Sequence, residues 1–347
     1  MHSRLLLLGL LCLSLFSSCA GRLAPGPTQP TSSAPASAQE PGPATPPAQP
    51  PREPSPALPP AAPEASPALP ETHGPTVSLL APGNEPRRPL RYAFTMRPET
   101  MVIDMKRRMN FSLMGASPDV APPTLRMTMK IVPREISREG TLRYDGELAR
   151  ARVLPDGDLP PADRSKLEAE LGELVGTKVH GVVTARGISE EASVEIPEVA
   201  SNPARQALEQ IGQSLRNVTV PLPVEPVGPG ARWQVDAVLS LGVRLVERTT
   251  MTLASATRTS IHIESSTERS APPQNLDLYR NLPPGLVMRL ESMKTEGRGS
   301  IKADLRRVVP TSQGSSDTEG TNTVGIESRK VPVVTRVHID VGIKPGP

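Results

Sequence analysis

From Val77 onward, apolar and polar residues alternate with a period of two. Leu125, Met127, Met129 and Ile131 interleave with Thr124, Arg126, Thr128 and Lys130, which gives a strand one dry face and one wet face. The alternation recurs in Met101, Ile103 and Met105; in Leu239, Leu241, Val243 and Leu245; in Ile261 and Ile263; in Ile301, Ala303 and Leu305; and in Val337, Ile339, Val341 and Ile343. Half-buried strands with a charged outer face suit an antiparallel sheet, since a parallel sheet covered on both faces reads as continuous apolar runs. Two stretches change to helical spacing. In "PPADRSKLEAELGELVG", Leu167, Leu171, Leu174 and Val175 share a face, with Asp163 as N-cap and Gly176 as the stop. In "SNPARQALEQIGQSLRN", Ala204, Leu208, Ile211 and Leu215 form one stripe, with Ser201 at the cap and Pro203 in the first turn. Between them "TKVHGVVTARG" and "EASVEI" read as a hairpin turning at Gly187. The pattern predicts an α+β fold: mainly an antiparallel meander, with two helices covering its dry face. The segment "PLPVEPVGPGARW" separates two β-rich halves, consistent with two related halves that share a curved sheet or open barrel.

Ahead of this body the composition differs twice. Residues 1–18 hold Arg4, an apolar run from Leu5 to Phe16 and small residues at its exit, the layout of a secretory signal too short to span a membrane. Residues 19–75 begin with Cys19 and continue in Pro, Ala, Ser, Thr and Gln, as in "PGPATPPAQPPREPSPALPPAAPEASPALP". So few large apolar groups cannot offset the entropy of ordering, and the prolines favour extended polyproline II. At about 3.1 Å per residue the stretch would reach on the order of 150 Å when fully extended, so it reads as a stand-off tether. Residues 76–347 are the β-rich globular body. Cys12 lies in the segment expected to be removed, which leaves Cys19 without a disulfide partner.

The run Phe16-Ser17-Ser18-Cys19-Ala20 resembles the lipobox of bacterial lipoproteins, with Phe16 where that family usually has Leu. The resemblance implies that Cys19 is acylated and becomes the new N-terminus. Ala20, in place of the Asp that commonly marks inner-membrane retention in that family, implies anchoring in the outer membrane. The body carries the Met-bearing alternating strands, the "LGELVGTKV" step and "LPVEPVGPGARW" before a long strand. In these it resembles an uncharacterised family of exported, β-rich bacterial lipoprotein domains. That resemblance implies architecture and supplies no catalytic residue. Trp233 in the last motif reads as a core plug below the Pro-Gly turn.

The chain carries little recognisable chemistry. Gly-x-Ser-x-Gly, a phosphate loop ending in Gly-Lys-Ser/Thr and His-Glu-x-x-His are all absent. His180 and His262 fall on the polar faces of their strands. His338 and Asp340 are two apart on one strand and point the same way, offering two ligands to a metal ion; two ligands do not make a site, so neither metal nor other cofactor is expected. With 39 Lys and Arg against 36 Asp and Glu, and aromatics at 2%, the chain lacks the basic patch and stacking platform of a nucleic-acid binder. Basic runs such as Lys106-Arg107-Arg108 read as solubilising charge on strands.

Met101, Met105, Met127 and Met129 crowd the first strands. They read as thioether filler in a core poor in Phe and Tyr, with the lining of a lipophilic pocket as the competing assignment. The sequence thus predicts a non-enzymatic envelope lipoprotein, held to the membrane by its lipid, that binds or scaffolds a protein or other envelope component. A carrier of a lipophilic ligand and an enzyme without a local motif stay open.

Overall fold

The computed structural model describes residues 74–112, 119–156, 159–195, 218–240, 243–276, 286–326 and 329–347. Cys19 and the second predicted helical segment, 201–217, lie outside them. Within them the chain forms β1 (Thr76–Ala81), β2 (Glu99–Ser112), β3 (Asp119–Val120), β4 (Leu125–Ile136), β5 (Leu142–Val153), helix α1 (Pro161–Gly172), β6 (Lys178–Val183) and β7 (Ser189–Glu195). The second half adds β8 (Arg232–Ser240), β9 (Arg244–Ala256), β10 (Ser260–Ala271), β11 (Gln274–Asn275), β12 (Leu286–Asp304), β13 (Thr311–Ile326) and β14 (Arg329–Pro345).

All fourteen strands belong to one open antiparallel sheet in the order β1-β8-β9-β10-β12-β13-β14-β2-β4-β5-β6-β7, with β11 on β12 and β3 on β2. The α+β class with two covering helices is therefore overturned: the described residues are nearly all antiparallel strand and contain a single helix. One helix cannot cover so broad a sheet. Buried residues of two extended segments, 82–97 and 218–231, complete the main core on the dry face, and α1 packs only beside β5.

These segments span one end of the curled sheet. Tyr92 N–H donates to the Ala185 carbonyl in the β6–β7 turn, and Ala93 N–H to Leu305 just past β12, so strands distant in the sheet order meet across residues 92 and 93. Tyr92 and Phe94 stack with ring centroids 4.9 Å apart, and the Tyr92 hydroxyl accepts from Val220 N–H at 3.1 Å. Burial pushes that hydroxyl's pKa up to about 12, against the lowering effect of the hydrogen bond. Trp233 is fully buried, and its indole N–H donates to the Pro221 carbonyl at 2.9 Å, which gives the plug its polar contact.

α1 starts after Pro160 with no side-chain cap; Asp163 sits in its first turn, where a carboxylate favours the helix dipole. Leu167, Leu171 and Leu174 pack on Leu148 and Val153, whereas Val175 is exposed. The helix ends at Gly172, and Gly176 takes the left-handed turn (φ +87°) that leads to β6. The β6–β7 hairpin turns at Gly187 (φ +73°), as the pattern predicts. Gly181 has a different reason: a Cβ there would stand 2.4 Å from the Tyr144 ring, so the bare backbone makes room for a buried aromatic on β5. Leu239 to Leu245 is not one strand. Ser240 at the end of β8 pairs with Arg244 at the start of β9 and Leu239 with Leu245, and Leu241 of the predicted series lies outside the described residues.

Candidate binding trough

Two rows of side chains cross the solvent face of the sheet. The first runs Arg232, Thr252, Glu264, Ser300, Gln313, Gly342, Asp104, each register-paired with the next. The second runs Thr250, Ser266, Arg298, Ser315, Asp340, Lys106. Hydroxyl-bearing and Gly positions form a low floor between longer charged groups, which leaves an open trough of about 1040 Å3 across seven strands. No aromatic side chain lines it, and Arg232, Arg298 and Lys106 balance Asp104, Glu264 and Asp340. Asp104 is held by a bidentate Arg126 on β4 at 2.5 and 2.6 Å, and these bonds keep its carboxyl below the usual range. The His262 ring lies 2.9 Å from Ser300 Oγ, and that hydroxyl donates in turn to Glu264 at 3.1 Å, so this bank is pre-ordered.

Two residues further along the central strands, His338 Nδ1 stands 2.7 Å from Asp317 and Nε2 3.2 Å from Asp340. Carboxylates only accept, so the ring that satisfies both is the doubly protonated one. The hydrogen bond to Asp317 leads in raising the His338 pKa above its ordinary value. His180 repeats the arrangement near the sheet edge, bonded to Glu195 at 2.8 Å and Asp145 at 2.7 Å, and its pKa is raised by these two contacts. Among the described residues no group of three or more His, Cys, Asp and Glu is placed to hold a metal ion. The His338 and Asp340 pair is instead a hydrogen-bonded pair with Asp317 behind it.

A folded pKa raised above the unfolded value of about 6.5 contributes stability that is fully present below that pH and lost as pH rises through the folded pKa. The melting temperature of His180→Asn/His338→Asn should therefore fall below wild type at acid pH, and the gap should close as the pH is raised. A gap that widens with pH would contradict the pairing. Both rings are substantially exposed, so solvent screening keeps the gap small.

The four methionines do not converge on the trough. Met101 and Met129 are fully buried in the main core. Met127 packs beside the α1 cluster, and Met105 is half-buried with its sulfur 3.7 Å from an Arg107 Nη2 donor. Sequence reasoning missed Arg107: within a basic triplet that reads as surface charge, it points to the dry face at 8% exposure, and burial lowers its pKa to about 10. Strand parity carries the missing signal, since Arg107 shares the face of Met101, Met105 and Met109. Sequence reasoning also missed Glu99. Its buried carboxylate accepts from Val308 N–H at 3.0 Å, Val309 N–H at 3.2 Å and Arg307 Nε at 3.2 Å, and so fastens the β12–β13 connection to β2.

No family model matches the sequence, and no curated protein matches it. Among solved structures, two mutants of a Rh. blastica porin are 8% and 7% identical, each over 70% of this chain and all of theirs, with TM-scores of 0.18 and 0.19. Pseudomonas aeruginosa OpdQ is 7% identical over 72% of this chain and 97% of its own, with a TM-score of 0.18. Similarity at that level carries no argument about fold or function.

Proposed function

We propose that this chain is a lipid-anchored protein of the bacterial envelope, outer-membrane bound through Cys19, whose body binds a polar envelope component in the trough without chemical turnover. Residues 22–75 hold the body away from the membrane. The observation that carries the reading is the trough's lining: short hydroxyls, an amide and balanced charges, with no aromatic ring. Such a surface suits a hydrated ligand recognised by hydrogen bonds and alternating charge, and Val341 is the one large aliphatic side chain it offers a lipid tail. The burial of Met101 and Met129 in the core disfavours the lipid-carrier alternative. The histidines with raised pKa are engaged by carboxylates rather than aimed at a nucleophile, which supports binding over catalysis.

The test combines fractionation with affinity capture from detergent-solubilised envelopes. Cys19→Ser should abolish fatty-acid labelling and release the chain from membranes. Ser266→Trp/Ser315→Trp, which fills the trough from the solvent face at two exposed positions, should keep the wild-type melt but lose the envelope component that wild type retains. Retention of the same component by the filled variant would sink the trough reading, and continued labelling of Cys19→Ser would sink the anchor.

A further inference from the structure

The two edges of the sheet differ in a way that identifies a partner. β7 ends the sheet on one side with Glu190, Glu191 and Glu195, charges that stop another strand from adding to it. β1 ends it on the other side with Thr-Val-Ser-Leu-Leu-Ala, which holds no charge and no proline. Among the described residues only β8 pairs with β1. Leu80 is 52% exposed there, while Val77 and Leu79 pack on the main core. β1 is bulged at Leu80 against β8, but its regular part, Thr76–Leu79, is an uncharged edge that can template strand addition.

We propose that β1 is a self-association edge, at which two copies of this chain pair antiparallel about a two-fold axis. Charge selects the occupant. An isologous contact sets a strand against itself, so charges on it meet like charges; β1 has none, whereas β7 would oppose carboxylate to carboxylate. Addition of β7 to β1 would strand its carboxylates beside Leu80 and would propagate head to tail without closing. The proline-rich stretch that precedes β1 lacks the run of N–H groups a new strand requires. With the axis at Ser78, that residue meets its own copy and Val77 meets Leu79, so the dry face continues across the junction, while the bulged Leu80 lies at its rim. A six-residue strand buries less than the roughly 1000 Å2 of a stable interface, so the dimer is weak in dilute solution and favoured where copies are concentrated.

The proposal is independent of the trough. The test follows hydrogen exchange of residues 76–81 and sedimentation of the full chain over a wide range of concentrations. Wild type should dimerise, and amide protection in β1 should rise with concentration. Ser78→Lys/Leu80→Lys changes only exposed positions, so it should melt as wild type does while dimerising on the order of tenfold more weakly. An equal mixture with Ser78→Glu/Leu80→Glu should restore pairing as a heterodimer. A monomer at every concentration, protection independent of concentration, or a dimer indifferent to the lysines would overturn the proposal.

Discussion

Met129→Glu is expected to unfold the body. Met129 is 2% exposed on β4 and packs in the main core, where Met101 stands opposite it on β2. A carboxylate placed there without a partner costs several kcal/mol, against a typical domain stability of about 5–15 kcal/mol. Circular dichroism should show loss of the cooperative melt at neutral pH. A native-like melt would mean that the site admits water, and uptake of a fluorescent fatty acid by wild type but not by the variant would then restore the pocket assignment.

Glu99→Ala should destabilise by about 2–5 kcal/mol, because two buried N–H groups, of Val308 and Val309, lose their acceptor while Arg307 loses its partner. Denaturant titration measures the loss. Glu99→Gln keeps one acceptor oxygen and should recover part of it. A variant within 0.5 kcal/mol of wild type, about the scatter of surface substitutions, would show that water replaces the carboxylate.

What the sequence conveyed depended on whether a residue's own pattern or its neighbours decided its structure. β2, β4, β10 and β14 alternate strongly, and their apolar face follows directly from parity. β13 is the opposite case: "TSQGSSDTEGTNTVGI" carries Gly, Ser and acidic residues that favour turns, yet it forms sixteen residues of strand. Ladders from β12 on one side and β14 on the other satisfy its backbone, and tertiary context outweighs a weak propensity. The predicted helical cover failed for a related reason, since local periodicity does not reveal that the sheet curls and that segments 82–97 and 218–231 lie across its open end. The trough was illegible because it is written across the strands: Ser300, Gln313, Gly342 and Asp104 become neighbours only through register. Glu99 is distant in sequence from Val308 and Val309, so no local motif announces its contact.

The pairing of β2 with β14 has a consequence in time. Met105 lies opposite Val341, so an early strand waits for almost the whole body to be made before its central neighbour exists. Contacts so far apart in the chain form slowly, because a long loop must close before any pairing rewards it. Until then β2, paired with β4 on one side, presents its other edge bare beside Met101, Met109 and Phe111, a surface prone to misassembly. A chain delivered N-terminus first should therefore stay dependent on holding factors until residues 329–345 arrive, and truncation before β14 should yield aggregate rather than a smaller fold.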